Sequence, residues 1–519
     1  MANPAVVIDI ENANDNSTHV EHEDTRDVEL KIKGRHSNEL VIALCGAVGS
    51  GVKRLNASLT EQLENSGYKV QHIRLSDLIA DQFPNTEVTK SLKGFKRYKN
   101  LQDLGDKLRK SNTHNIVAQI AIRRINHWRH NEYGEDLKEN ETPKHAKTLD
   151  KVAYIVDQLK NPAEVKLFRI VYRNNFYLVG LLRNVEERKK NLSEERLSEE
   201  EINELIRRDH KFEFDYGQQV QDTLQLSDYF IRNIDQGKAI KNSAIRFISL
   251  IHGIDHISPS GDETGMYTAY NASLRSACLS RQVGSCIVDE SGNVLATGCN
   301  DVPIFGGGLY NAESKNDKRC YNGTGCYNDF HKLILKDQIK DILVGGKVDD
   351  AELLAEKIME DTKAKSIIEY SRAIHAEMDA ILSLARNTSI GTVGKVMYCT
   401  TYPCHSCARH IVASGIKKVI YIEPYEKSLA KTLHEDAICH TDDVKSEKVL
   451  FASFEGVAPN RYASFFKQHG KRKSPEGNVL NKRIMVANQV APSDLDSYFD
   501  YEAKIVSDVN KTLGEEPSS

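Results

Sequence analysis

Apolar runs and regular leucine spacings alternate along the first half of the chain. "ELVIALC" (Glu39–Cys45) is a short apolar run and predicts a buried strand. Leu55, Leu59 and Leu63 then recur every four residues, the spacing of one helix face. Val70–Leu75, Val152–Val156 and Phe176–Leu182 predict further strands, with helical patterns between them, as at Val117–Trp128. Strands alternating with helices imply a parallel sheet covered by helices. Arg183–Lys211 is dense in charge of both signs and predicts an exposed helix pair, while the polar stretch Asn131–Asp150 predicts a surface loop. A second α/β pattern starts near Thr264. "VGSCIVDE" and "NVLATGC" predict two hairpin strands joined at "SGN", and "GKVMYCTT" and "KKVIYIE" predict later strands separated by a helix. One more helix is expected near Ser493–Val509.

At 519 residues the chain is too long for one typical domain. The pattern divides it into a disordered acidic tail over 1–37, a domain over 38–255, a second over 256–475 and a C-terminal tail over 476–519. A net charge of −4 excludes a global basic field for nucleic acid. No apolar run is long enough to span a bilayer, and Met1–Glu11 does not read as a secretory signal. We therefore expect no membrane partner and a cytoplasmic protein with reduced thiols. Nine of the ten cysteines follow Arg275, which points to metal or packing roles in the C-terminal half.

"SRAIHAEMDAI" (Ser371–Ile381) sets His375 and Glu377 two residues apart at a predicted helix start. Further on, "TTYPCHSCARH" follows a strand. Pro403 suits the first helical position, which puts Cys404 and Cys407 on one face of the first turn. A helix N-terminus favours thiolates, and thiolates bind zinc. His375, Cys404 and Cys407 supply three ligands and leave a fourth position for water, the layout of a catalytic Zn2+. Glu377 is not needed as a ligand, so it is free to move that water's proton to a substrate ring nitrogen and a leaving amine. His-x-Glu followed by Pro-Cys-x-x-Cys matches the signature of the zinc deaminases.

"MYTAYNASLRSACLSRQVGSCIVDESGNVLATGCND" (Met266–Asp301) resembles the first half of the deoxycytidylate deaminase family. The resemblance implies that Asn300 contacts the sugar and that Arg281 holds a phosphate, a role suited to a guanidinium. About 75 residues separate Asn300 from His375, an insertion like the one in deoxycytidylate deaminases. Inside it, Cys320, Cys326 and His331 lie close together in sequence. Either they hold a second, structural zinc, with Cys299, His434, Cys439 or His440 as fourth ligand, or they are simple reduced thiols and an imidazole. Cys278, Cys286 and Cys399 fall in helix or strand patterns and read as small core residues.

"LCGAVGSGVKRL" follows the first strand and opens a helix, the context of a phosphate-cradling loop. Gly46 and Gly51 have the Walker A spacing, but Val52 takes the lysine position and Lys53 the Ser/Thr position. Gly46, Gly49, Ser50 and Gly51 remain candidates for holding a nucleotide effector through backbone N–H groups. Asp157, closing a strand, is a candidate Walker B-like acid. The other reading is a kinase fold kept as a regulatory or assembly scaffold.

The two halves together resemble the bacterial anti-phage deoxycytidine nucleotide deaminases, which join a P-loop kinase-like domain to a deoxycytidylate-deaminase-like domain. The resemblance rests on the zinc motif together with Leu101–Arg109, Ala153–Val165, Arg173–Gly180, Tyr216–Asn233, Lys427–Ile438 and Phe454–Tyr462. It implies an α/β fold throughout: an N-terminal P-loop kinase-like parallel sheet with flanking helices, and a C-terminal cytidine-deaminase-like α/β/α sandwich. It implies conversion of dCTP and dCMP to dUTP and dUMP, starving phage DNA synthesis. It also brings a small inhibitory RNA as a partner, since such an RNA holds some members inactive. By analogy with relatives of the deaminase domain we expect a homo-oligomer. Two rival readings stay open. One is a polynucleotide cytidine deaminase using basic stretches such as Lys90–Gln102; the other is a sensing module whose deaminase half is structural.

Overall fold

The computed structural model describes residues 8–9, 37–84, 86–133, 150–210, 215–233, 238–254, 257–323, 325–387, 389–425, 428–440, 447–468, 473–477, 480–481, 489 and 496–514. The acidic tail expected over 1–37 and the loop expected over 131–150 lie largely outside these residues. The chain forms two compact units: Met1–Ser258 with Glu455–Ser519, and Pro259–Phe454.

In the first unit the apolar run forms β1 (Glu39–Gly46), buried along its whole length. The leucine spacing forms α1 (Val52–Asn65), whose buried residues are Val52, Leu55, Leu59 and Leu63. After β2 (Lys69–Arg74) come α2 (Gly94–Ser111) and α3 (Ile116–Tyr133). The unit continues with β3 (Val152–Asp157), α4 (Pro162–Tyr172), β4 (Phe176–Leu182), α5 (Val185–Glu194), α6 (Glu199–His210), β5 (Tyr229–Arg232) and α7 (Lys238–Ile251). The five strands run parallel in the order β5-β4-β1-β3-β2, and Gly456–Val457 adds an antiparallel edge beside β5. Asn161 and Glu164 start α4 with a reciprocal capping box.

Two expectations need correction here. The helix pair over Arg183–Lys211 forms, but it is not merely exposed: Leu192, Leu205, Arg188 and Asp209 are buried. Nor does the second domain run to 475 with a separate C-terminal tail beyond it, although the helix expected near Ser493–Val509 forms. The chain returns to the first unit at Glu455, and helix Asp496–Leu513 is part of that unit, with Tyr498, Phe499 and Val509 buried. An ionic knot joins this helix to the core. Arg129 Nε meets Glu39 Oε1 at 2.8 Å, and its Nη1 meets Glu502 Oε2 at 2.6 Å. Tyr154 donates to Glu39 at 2.8 Å and Tyr172 to Glu502 at 2.5 Å. Both carboxylates are thus paired and hydrogen-bonded, the condition under which buried charge is tolerated.

The second unit holds α8 (Gly261–Ser273), β6 (Gly284–Val288), β7 (Val294–Cys299), α9 (Tyr327–Gly345), α10 (Ala351–Asp361), α11 (Ala376–Asn387), β8 (Val396–Thr401), α12 (His405–Ala413), β9 (Lys418–Glu423), β10 (Ile438–Cys439) and β11 (Val449–Ser453). Its sheet order is β10-β11-β9-β8-β6-β7, parallel except where β6 meets β7 and β8. Alternate residues of a strand face opposite ways. Tyr398 donates to Asp262 of α8 at 2.7 Å, while its neighbour Met397 packs with Ala380 and Leu384 of α11 and Ala408 and Ile411 of α12. The unit is therefore an α/β/α sandwich.

Two predictions follow from the first unit. Removing one partner of a buried ion pair strands the other, so Glu502→Ala should lower unfolding stability by about 3–5 kcal/mol, read as a lower denaturant midpoint. The buried His252 ring bonds Tyr68 Oη at 2.8 Å and Ile248 O at 2.7 Å, and burial pulls its pKa down to about 4. Below its ordinary value of 6.5 the unfolded chain takes up a proton that the folded one refuses. Stability should be full above 6.5 and fall as pH drops toward 4, and His252→Gln should flatten that slope in pH-dependent melts.

Candidate active site and metal centre

The site forms where two helices begin at one end of the second sheet. His375 immediately precedes α11, and its carbonyl accepts from Asp379 N at 2.9 Å. The preceding residue, Ile374, bridges to Asp301. Glu377 lies in the first turn of α11 and is only 4% exposed. On the other side, β8 ends at Thr401 and Cys404 caps α12, its Sγ accepting from Cys407 N at 3.4 Å. The helix therefore starts at His405, and Pro403 lies before the cap instead of at the first helical position. The two cysteines still share the first turn.

His375 Nδ1 lies 3.3 Å from Cys404 Sγ and 3.4 Å from Cys407 Sγ. All three ligand atoms fall within 4.8 Å of one another, and among the described residues no other trio of His, Cys, Asp or Glu does so. The hydrogen bond from Cys407, with His375 beside it, draws the Cys404 thiol well below its ordinary range. Burial pushes the Glu377 carboxyl up, against the pull of His375. Two sulfurs, one inclined to the thiolate, and one imidazole are a donor set that zinc takes readily.

These groups open into a cavity of about 340 Å³. Asn300 and Arg281 line it. The Asn300 amide, however, is engaged with the neighbouring loop: its Oδ1 accepts from Val283 N at 2.7 Å and its Nδ2 donates to Arg281 O at 2.8 Å. Arg281 is half-exposed, 3.8 Å from Glu423 and stacked over Tyr425. Sequence reading missed Arg372 and Lys332, which also line the cavity. Arg372 sits in the same short stretch as His375, and that adjacency was the available signal. Cys278, read as core, is a half-buried wall residue.

The second metal trio does not assemble. Cys320 and Cys326 line the cavity, but the His331 ring packs on Phe330 and Tyr370, and the three are not gathered within ligand distance. His440 bonds Tyr402 at 3.0 Å. Cys286 and Cys399 are buried on strands, as expected.

In the first unit, Gly46, Gly49, Ser50 and Gly51 form the turn between β1 and α1. Gly49 and Gly51 have φ of 80° and 95°, which favours glycine. Ser50 O accepts from Asn233 at 2.7 Å, and Val48 N donates to Asp209 at 2.6 Å. Asp157 ends β3, its carboxyl raised by burial.

A metal-ligand trio on two helix N-termini, with a buried acid beside it, defines the second unit as a metal-site α/β/α protein of catalytic layout. Residues 259–423 match the model of the "Cytidine and deoxycytidylate deaminase zinc-binding region". The deoxycytidylate deaminase of Enterobacteria phage T2 is 33% identical over 165 residues, 32% of this chain and 81% of the relative. That of phage T4 is 34% identical over 165 residues, 32% of this chain and 79% of the relative. Among solved structures, the apo dCMP deaminase of cyanophage S-TIM5 aligns with 38% of this chain and 100% of its own, at 20% identity and a TM-score of 0.22. Through its second unit the chain belongs to the deoxycytidylate deaminase family, a zinc-binding family.

The position of α11 depends on Gly298 in β7. A Cβ there would lie 2.2 Å from Ala376 O and 2.4 Å from Ala380 N. Gly298→Val should push α11 off the sheet, carrying His375 and Glu377 away from the cysteines. We expect loss of most bound zinc by atomic absorption, with far-ultraviolet dichroism largely kept.

Proposed function

We propose that the second unit hydrolytically deaminates the cytosine of a deoxycytidine nucleotide, exchanging the 4-amine for oxygen and releasing ammonia. The observation that carries this is the meeting of His375, Cys404 and Cys407 within 4.8 Å beside buried Glu377, on one cavity. The phage relatives, named deoxycytidylate deaminases, supply the substrate class. Zinc held by the trio would supply Lewis-acid activation of a water at neutral pH. Glu377 takes that water's proton, delivers it to the ring nitrogen beside the amine and then to the departing amine. Its buried place in the first turn of α11, two residues from His375, suits it to both roles. Arg281, Arg372 and Lys332 put positive charge on the cavity wall, where a nucleotide phosphate can be met. Asn300, by the family resemblance, faces the sugar and holds the Arg281–Val283 loop as it does so.

By the same resemblance we extend the reading to dCTP as well as dCMP, to depletion of dCTP in anti-phage defence and to a cytoplasmic homo-oligomer with a P-loop kinase-like first unit. Its support is the pairing of a deaminase unit with a parallel-sheet unit whose glycine loop follows the central strand.

The test gives the zinc-loaded full chain CMP, CTP, dCMP, dCTP, adenosine nucleotides and single-stranded DNA, each alone, with products read by mass. Conversion of dCMP or dCTP without conversion of DNA is expected; conversion of DNA alone would overturn the reading. Glu377→Ala should keep its zinc and its melting temperature while turnover drops at least ~100-fold. Zinc loss in that variant would make Glu377 a ligand instead of the proton carrier.

A further inference from the structure

The glycine loop of the first unit already holds an anion, and the anion belongs to the chain. Asp209 of α6, fully buried, accepts from Val48 N at 2.6 Å and pairs with Lys160 Nζ at 2.5 Å. A backbone N–H and an ammonium around one negative group are also the donors that a phosphate seeks. The loop lies at the carboxyl end of β1, and β3 and β4 flank that strand on opposite sides. Strand order reverses there, which is where open α/β sheets form ligand crevices.

Two polar atoms point independently to a missing ligand. Ser50 Oγ sits inside the loop, 2.6 Å from where a Gly46 Cβ would lie, on a residue 1% exposed. It has no hydrogen-bond partner among the described residues. Gln102 Oε1, on a residue 4% exposed, has none either. The Gln102 amide reaches Gln218 Oε1 at 3.5 Å, and Lys160 reaches the same oxygen at 3.2 Å. A buried amide oxygen left unmatched is uncommon in a folded core.

Taking the loop with Walker A spacing as a nucleotide's phosphate seat, we propose that Asp209 is its internal competitor. Lys160 brings the positive charge that Val52 does not supply at the Walker A lysine position. The α5–α6 pair is the arm that carries the competitor. Arg188 Nε and Asn191 Nδ2 donate to the carbonyls of Val48 and Gly49, both at 2.9 Å. Leu192, Leu197, Ile202 and Leu205 pack around Val48. An incoming phosphate and the Asp209 carboxylate are like charges with one set of donors, so seating one expels the other.

The test is titration calorimetry on the full chain with ATP, GTP, pyrophosphate and adenosine. Asp209→Asn keeps the side-chain shape and removes its charge. We expect affinity for ATP or GTP, and for pyrophosphate, to rise at least about ten-fold over wild type, with adenosine unchanged. Lys160→Gln in the same background should cancel the gain. A folded Asp209→Asn protein that binds no phosphate more tightly than wild type overturns the proposal. So does a gain that survives Lys160→Gln, or one confined to pyrophosphate, which would remove the nucleotide. Hydrogen exchange on the wild type covers the case of a misfolded variant. With millimolar ATP or GTP, residues 46–53 should exchange more slowly and residues 199–209 faster. No change in either segment also overturns the proposal.

Discussion

The site depends on a backbone contact before it depends on any side chain of the reaction. α11 lies against β7 so closely that Gly298 has no room for a Cβ beneath Ala376 and Ala380. Asp379 adds a hydrogen bond from Cys299 N at 3.1 Å. Together they fix the start of α11 to the end of β7, as the β8 turn fixes Cys404 and Cys407. Three ligands from two separate helices can converge to within 4.8 Å only if both helix starts are set by the same sheet. Close packing of this kind converts a two-residue motif into a geometry.

The electrostatics at this end of the second unit then follow from burial. A carboxylate taken out of water seeks a proton or a positive partner, and Glu377 has His375 beside it. The insertion after Asn300 makes one cavity wall, through Cys326, Tyr327 and Lys332. Its positive groups and the buried acid thus meet in the same cavity.

Much of this was legible in the sequence. Parallel strands buried on both faces read as apolar runs, so β1, β3 and β4 stood out. His375, Glu377, Cys404 and Cys407 were legible because each pair is local and helix-bound. Nearness in sequence failed for His331, since residues on a loop and on the helix after it can face different ways. Arg188 and Asp209 were hidden inside a stretch of mixed charge, where one buried carboxylate looks like its solvated neighbours. Glu502 was hidden for the same reason, and its partners Arg129 and Tyr172 lie hundreds of residues earlier.

The ionic knot on Glu502 also imposes a timetable on synthesis. The first unit is interrupted at Ser258 and resumes at Glu455, so the ribosome makes all of the second unit before the first is finished. Domains usually fold in the order they emerge. Here Arg129 lacks one of its two carboxylates until helix Asp496–Leu513 has been made. The second unit, contiguous from Pro259 to Phe454, faces no such delay. The nascent chain can thus complete its candidate metal centre before the unit that precedes it in sequence.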